Sequence, residues 1–157
     1  MSADRGSAVA IRASMLAAAL GASVAARSLP SARIGTQDVA SAIGLVVLWC
    51  GMGLRVWSFH TLGRYFTFTV QTSRDQPVIT GGPYRVIRHP GYAGLIIVMI
   101  GIGFTIDNWG SLVLLTSAIT IGLVYRITVE ERALFRDLGV PYQCYAASRK
   151  RLVPFVW

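Results

Sequence analysis

Acidic residues are scarce in this chain: 157 residues carry 7 Asp and Glu against 15 Lys and Arg, and charged residues make up only 14% of the whole. With 54% hydrophobic residues and a mean hydropathy of +0.54, that shortage of charge excludes an ordinary water-soluble domain. Cysteine is nearly absent. Cys50 lies in an apolar run and Cys144 in the C-terminal tail, with no CxxC and no histidine at ligand spacing, which excludes a disulfide scaffold and a structural zinc site. A Gly-rich strand-to-helix fingerprint is also missing, because Gly101-Ile102-Gly103 falls inside an apolar run. A nucleotide fold of the soluble type is thereby excluded. Internal repeats and low-complexity linkers are lacking too, so 1–157 reads as a single domain.

What is present is a set of long apolar runs, near 8–26, 39–57, 91–106 and 109–125. At 1.5 Å rise per residue, about 20 apolar residues cross a hydrocarbon core. The first run ends in small residues that suit signal cleavage, but its length and Arg12 favour a retained helix. In the second, Gly44, Gly51 and Gly53 allow close helix approach in lipid. The third run is short for an upright span, and only Asp107-Asn108 separates it from the fourth, so the two form an antiparallel hairpin. The reading is an all-α integral membrane protein of about four spans, with polar segments at 58–90 and 126–157.

The formal net charge of +8 would suggest nucleic acid in a soluble protein, but here it reports orientation. Arg55, Arg64, Arg74, Arg85 and Arg88 lie in or beside the first polar segment, and Arg126, Arg132, Arg136, Arg149, Lys150 and Arg151 in the second. The positive-inside rule puts both segments and both termini in the cytoplasm, as in a bacterial inner membrane, leaving only Arg27 and Arg33 outside.

Two places can carry chemistry. Gly82-Pro83-Tyr84-Arg85-Val86-Ile87-Arg88-His89-Pro90-Gly91-Tyr92 crowds turn formers, cations, an imidazole and aromatics at the start of the hairpin. A helix start there offers backbone amides to an anion. At the far end of the hairpin Arg126 and Glu130, four positions apart, share a helix face, from which Glu131 points away. Interfacial anchoring explains the first segment equally well, and a helix-exit ion pair of about 0.3–0.5 kcal/mol explains the second. The hairpin shifts the balance, because it sets Arg126 and Glu130 beside His89 and Tyr92, and converging charges at a membrane boundary mark a site. Beyond them Leu134, Phe135, Gly139, Tyr142 and Tyr145 read as an amphipathic helix, a turn and an aromatic roof.

An ordered series then emerges: Leu62-Gly63, Val70-Gln71, Val78-Ile79 with Gly82-x-Tyr84, Arg88-His89-Pro90-x-Tyr92, Glu130-Glu131, Gly139, Tyr142, Tyr145 and Leu152-x-Pro154. From about 62 to 154 it resembles the isoprenylcysteine carboxyl methyltransferases and their bacterial relatives. The resemblance implies a membrane methyltransferase using S-adenosylmethionine. It implies that Gln71, Gln76, Pro77, Val78, Ile79, Tyr84, His89, Pro90, Gly91, Tyr92 and Glu130 bind that cofactor, and that Arg126 contacts the methyl acceptor and, with Glu130, carries catalysis. No metal is implied. The expected acceptor is an isoprenoid or lipid-like carboxylate drawn from the bilayer, with membrane lipids around it and a prenylated protein as a possible substrate. Rival expectations are an amine N-methyltransferase, an NADPH-dependent reductase of the sterol-reductase type, and a basic scaffold for anionic lipid.

Overall fold

The computed structural model describes residues 6–63, 77–154 and 157. Its helices are α1 (Ser7–Ser28), α2 (Gln37–Leu62), α3 (Pro90–Thr105), α4 (Trp109–Leu138) and α5 (Val140–Ser148), with a short 3-10 helix at Gly82–Arg85. No strand forms among the described residues beyond an isolated parallel bridge between Ile87 and Lys150. Val9–Ser28, α2 and α4 are each long and apolar enough to cross a membrane. With 16 residues, α3 spans about 24 Å, less than the hydrocarbon thickness, and is sheltered between α2 and α4.

The apolar runs become helices close to their expected limits, with two corrections. α2 does not stop at 57 but continues to Leu62. Nothing in Ser58 to Leu62 breaks a helix, and Gly63 ends it at φ 52. Likewise α4 does not end at 125: it runs unbroken to Leu138, where Gly139 at φ 57 caps it. The expected amphipathic helix after Glu130 is therefore the last turns of α4 itself. A helix of 30 residues, about 45 Å long, carries membrane-facing and polar-site residues on one rigid rod.

Packing depends on small residues, as association in lipid requires. The antiparallel pair α2 and α3 meets at two glycine contacts one heptad apart. A Cβ on Gly101 would lie 2.5 Å from Leu48 N and 2.7 Å from Gly44 O, and one on Gly51 would lie 2.7 Å from Gly94 O. Gly53 faces open space and takes no part in this seam. On the other flank Ala18 and Ala22 of α1 are buried with Leu115, Ile119 and Leu123 of α4 and with Val98 and Met99 of α3. Ser111 Oγ donates to Ala22 O at 2.8 Å, fastening α1 to α4.

The hairpin turn is tied down at the end remote from His89. Asp107 adopts φ 54, a conformation that costs a non-glycine residue energy. Its carboxylate accepts from Arg33 Nε at 2.8 Å, Ile34 N at 3.1 Å and Gly35 N at 3.0 Å. Burial works to raise the Asp107 pKa, but these donors outweigh it and hold the carboxyl below its usual range. Asn108 caps α4 through Ser111 N at 3.0 Å and donates to Leu29 O at 2.8 Å. The apparently misplaced Arg33 thus has a local anion.

Candidate functional site

At the opposite end of the hairpin, the start of α3 and the last third of α4 face each other beneath α5 and the C-terminal tail. Pro90 occupies the first turn of α3, where its missing N–H costs nothing. About one turn before Glu130, α4 contributes Arg126, which is only 4% exposed although it is charged. The phenol of Tyr92 links the two helices. Its hydroxyl accepts from Arg126 Nε at 3.3 Å and donates to Glu130 Oε2 at 2.7 Å. The hairpin therefore brings Arg126, Glu130 and Tyr92 together, with Tyr92 as the bridge.

His89 belongs to a neighbouring cluster. Its ring stacks on Tyr92, centroids 5.6 Å apart and 20° between planes, while its Nε2 lies 3.3 Å from Glu131 Oε1. Arg88 Nη1 reaches the same oxygen at 2.8 Å, and Arg151 Nε reaches Oε2 at 2.8 Å. Glu131 was expected to point away from the site. Instead its side chain is 4% exposed and gathers three basic groups. Helical spacing correctly separates it from the Arg126 face, but the tail wraps the helix and closes over the adjacent face as well. The signals available in the sequence were the doubled acid Glu130-Glu131 and the basic run Arg149-Lys150-Arg151.

The amides expected to be open to an anion are also partly used. Arg88 N donates to Lys150 O at 2.8 Å and His89 N to Arg151 O at 2.9 Å. Gly91 turns its bare face to α2, where a Cβ would lie 3.2 Å from the Phe59 ring, and its carbonyl accepts from Arg55 Nη1 at 2.8 Å. Gly82 at φ +53 similarly clears Thr61, whose Oγ1 would be 2.7 Å from a Cβ.

The aromatic roof forms as a small cluster. Tyr142 is buried and meets Phe135 edge to face at 5.0 Å and Tyr145 at 5.9 Å. Tyr145 donates to Tyr84 O at 2.8 Å. Burial, opposed by Arg149 and Arg88, pushes the Tyr145 phenol up to about 12, which keeps it a donor at neutral pH. Tyr84 is buried beside Glu130, and burial followed by that negative charge raises its pKa as well. Pro77, Val78 and Ile79 lead irregularly into the 3-10 helix, partly exposed. Gln71 and Gln76 lie outside the described residues.

The profile of the isoprenylcysteine carboxyl methyltransferase (ICMT) family matches residues 42–136, covering most of α2, all of α3, nearly all of α4 and the whole Arg126–Glu131 segment. The chain belongs to the ICMT family. It is 33% identical over 118 residues to protein-S-isoprenylcysteine O-methyltransferase A of Arabidopsis thaliana, covering 74% of this chain and 60% of the plant protein. To the protein of that name from Schizosaccharomyces pombe it is 30% identical, covering 74% of this chain and 49% of the yeast protein. Its fold matches a solved eukaryotic intramembrane Ras methyltransferase ICMT with a TM-score of 0.75 and 26% identity, over 92% of this chain and 52% of the other. This ICMT family member is an all-helical integral membrane protein, and it spans 60% or less of the length of these relatives.

Proposed function

We propose that the chain is a membrane methyltransferase that uses S-adenosylmethionine to esterify the carboxylate of an isoprenoid or lipid-like acceptor. The observation that carries this reading is the partly buried Arg126–Tyr92–Glu130 relay at the mouth of the hairpin, inside the region matched by the family. The related proteins are named for O-methylation of protein S-isoprenylcysteine. The acceptor carboxylate is lipophilic, either free in the bilayer or carried by a prenylated protein.

The donor set fits the cofactor, which when bound supplies a methyl group on a cationic sulfur. Glu130 is a half-buried acid suited to its ammonium group, with Tyr84 and Tyr92 beside it. His89, Pro90 and Gly91 and the 77–79 segment complete the proposed pocket, and Gln71 and Gln76, outside the described residues, are assigned to the cofactor by resemblance alone. Arg126 then holds the acceptor carboxylate by charge-assisted hydrogen bonds. So held, a carboxylate oxygen would be aligned to take up the methyl group that the bound cofactor would supply, with the electron pair of the broken carbon–sulfur bond left on sulfur. An ionised carboxylate has no proton to lose, so the residues supply alignment and exclusion of water rather than a base. An amine acceptor would arrive protonated and gain nothing from a buried guanidinium.

We place this end of the molecule in the cytoplasm on the charge pattern, with four membrane passages and both termini on that side. Titrating the purified protein with S-adenosylmethionine and with NADPH tests the cofactor: saturable binding of the first alone is expected. Arg126→Ala should leave that binding within about threefold and slow methyl transfer about 100-fold, because it removes acceptor alignment. Binding of NADPH in place of S-adenosylmethionine would overturn the proposal.

A further inference from the structure

Glu131 has no assigned role in the reaction, yet it is among the most heavily partnered side chains described. Arg88, His89 and Arg151 converge on one carboxylate that is 4% exposed. Two of these partners stand at the entrance to α3, while Arg151 belongs to the C-terminal tail. The same tail carbonyls, of Lys150 and Arg151, accept from the amides of Arg88 and His89, and Ile87 pairs with Lys150. The tail is thus laced to the entrance of α3, His89 included, by backbone bonds and to Glu131 by an ion pair. Trp157 packs against the Arg151 guanidinium at 5.1 Å.

The chemistry of this knot fixes the place of one proton on His89. A carboxylate facing two guanidinium groups is ionised, and an ionised carboxylate only accepts hydrogen bonds. The ring nitrogen that meets it, Nε2, must therefore carry hydrogen. In the neutral imidazole the opposite nitrogen, Nδ1, is then the acceptor. Stacking on Tyr92 fixes the ring plane, and Tyr92 is already engaged with Glu130.

We propose that Glu131 is a positioning residue for the cofactor pocket: with Arg151 and the tail as its clamp, it holds His89 in one orientation and one tautomer, presenting Nδ1 as an acceptor to the cofactor. This rests on the S-adenosylmethionine reading of the site. It gives His89 the same polarity as Glu130 toward a donor such as the cofactor's ammonium group, and it makes the C-terminal tail part of the binding site without touching the ligand.

The test uses the full-length protein in detergent, with calorimetric titration of S-adenosylmethionine and imidazole ¹⁵N spectra of the unliganded state. The chain has only 2 histidines, His60 and His89, so the spectrum is simple. Glu131→Gln should shift the His89 Nε2 resonance while His60 stays in place, and should weaken cofactor binding about tenfold. Arg151→Met, a change at the half-exposed tail, should weaken binding in the same direction, and Arg151→Lys should restore most of it. Asp107→Asn, which keeps its acceptor oxygen at the remote turn, should alter neither readout. Glu131→Gln binding within twofold of wild type, or an unmoved His89 resonance, overturns the inference. If Glu131→Gln does not fold, the Arg151→Met and Arg151→Lys pair decides it, equal affinities for both and wild type counting against the clamp. A wild-type protein that binds no S-adenosylmethionine would instead remove the reading of the site on which the inference stands.

Discussion

Glu130→Gln is expected to weaken S-adenosylmethionine binding by about 10- to 100-fold while the protein folds normally. The substitution is close to isosteric. Its amide oxygen still accepts from Tyr92, which lies 2.7 Å from Glu130 Oε2, so the bridge between α3 and α4 survives. What is lost is the negative charge proposed to hold the ammonium group, and a hydrogen bond to a charged partner contributes about 1.5–3 kcal/mol. Calorimetry on the two proteins reads this directly. Equal affinities would take Glu130 out of the cofactor site, and unfolding of the variant would assign it to the scaffold.

Gly101→Ala should destabilise the protein by about 3 kcal/mol, an effect at the upper end for an added methyl group. The new Cβ would stand 2.5 Å from Leu48 N and 2.7 Å from Gly44 O. These are backbone atoms of α2, so no rotamer change relieves the clash. α2 and α3 must separate, and the Gly51 and Gly94 contact one heptad away opens with them. Gly53→Ala, on the same helix as Gly44 but facing open space, should behave oppositely and gain up to about 1 kcal/mol from helix propensity. Thermal unfolding in detergent compares the pair. A Gly101→Ala protein as stable as Gly53→Ala would mean that the glycine seam does not hold the hairpin against α2.

Much of this architecture was legible from hydropathy and charge. The four apolar runs became helices, and the two-residue Asp107-Asn108 link forced a hairpin whose open end gathers Tyr92, Arg126 and Glu130. Hydropathy failed where it was used to end helices. It falls at Arg126, but a helix responds to backbone breakers, and none occurs before Gly139. Small residues pointed to close packing without showing which of them mate: Gly44 and Gly51 enter the seam, while Gly53, two residues on and round the helix, does not. Glu131 was the main loss. Periodicity assigns each residue of a helix to a face but says nothing of what tertiary structure lays over that face. The partners of Glu131 lie 42 residues away at His89 and 20 away at Arg151, and the parallel lacing of the tail onto residues 87–89 leaves no local pattern. Two of the amides expected to be free at the start of α3, those of Arg88 and His89, were taken up for the same reason.

The central claim is carboxyl methylation of a lipophilic acceptor. Its most direct test is to incubate the purified protein with methyl-labelled S-adenosylmethionine and either a prenylcysteine carboxylate or a membrane lipid extract, then to expose the product to mild base. A carboxyl ester releases its label as methanol, whereas a methylated amine keeps it. The account predicts that label enters the lipid phase in base-labile form and that Arg126→Ala abolishes most of it. Label that stays on the lipid through base treatment, with Arg126→Ala as active as wild type, would contradict it.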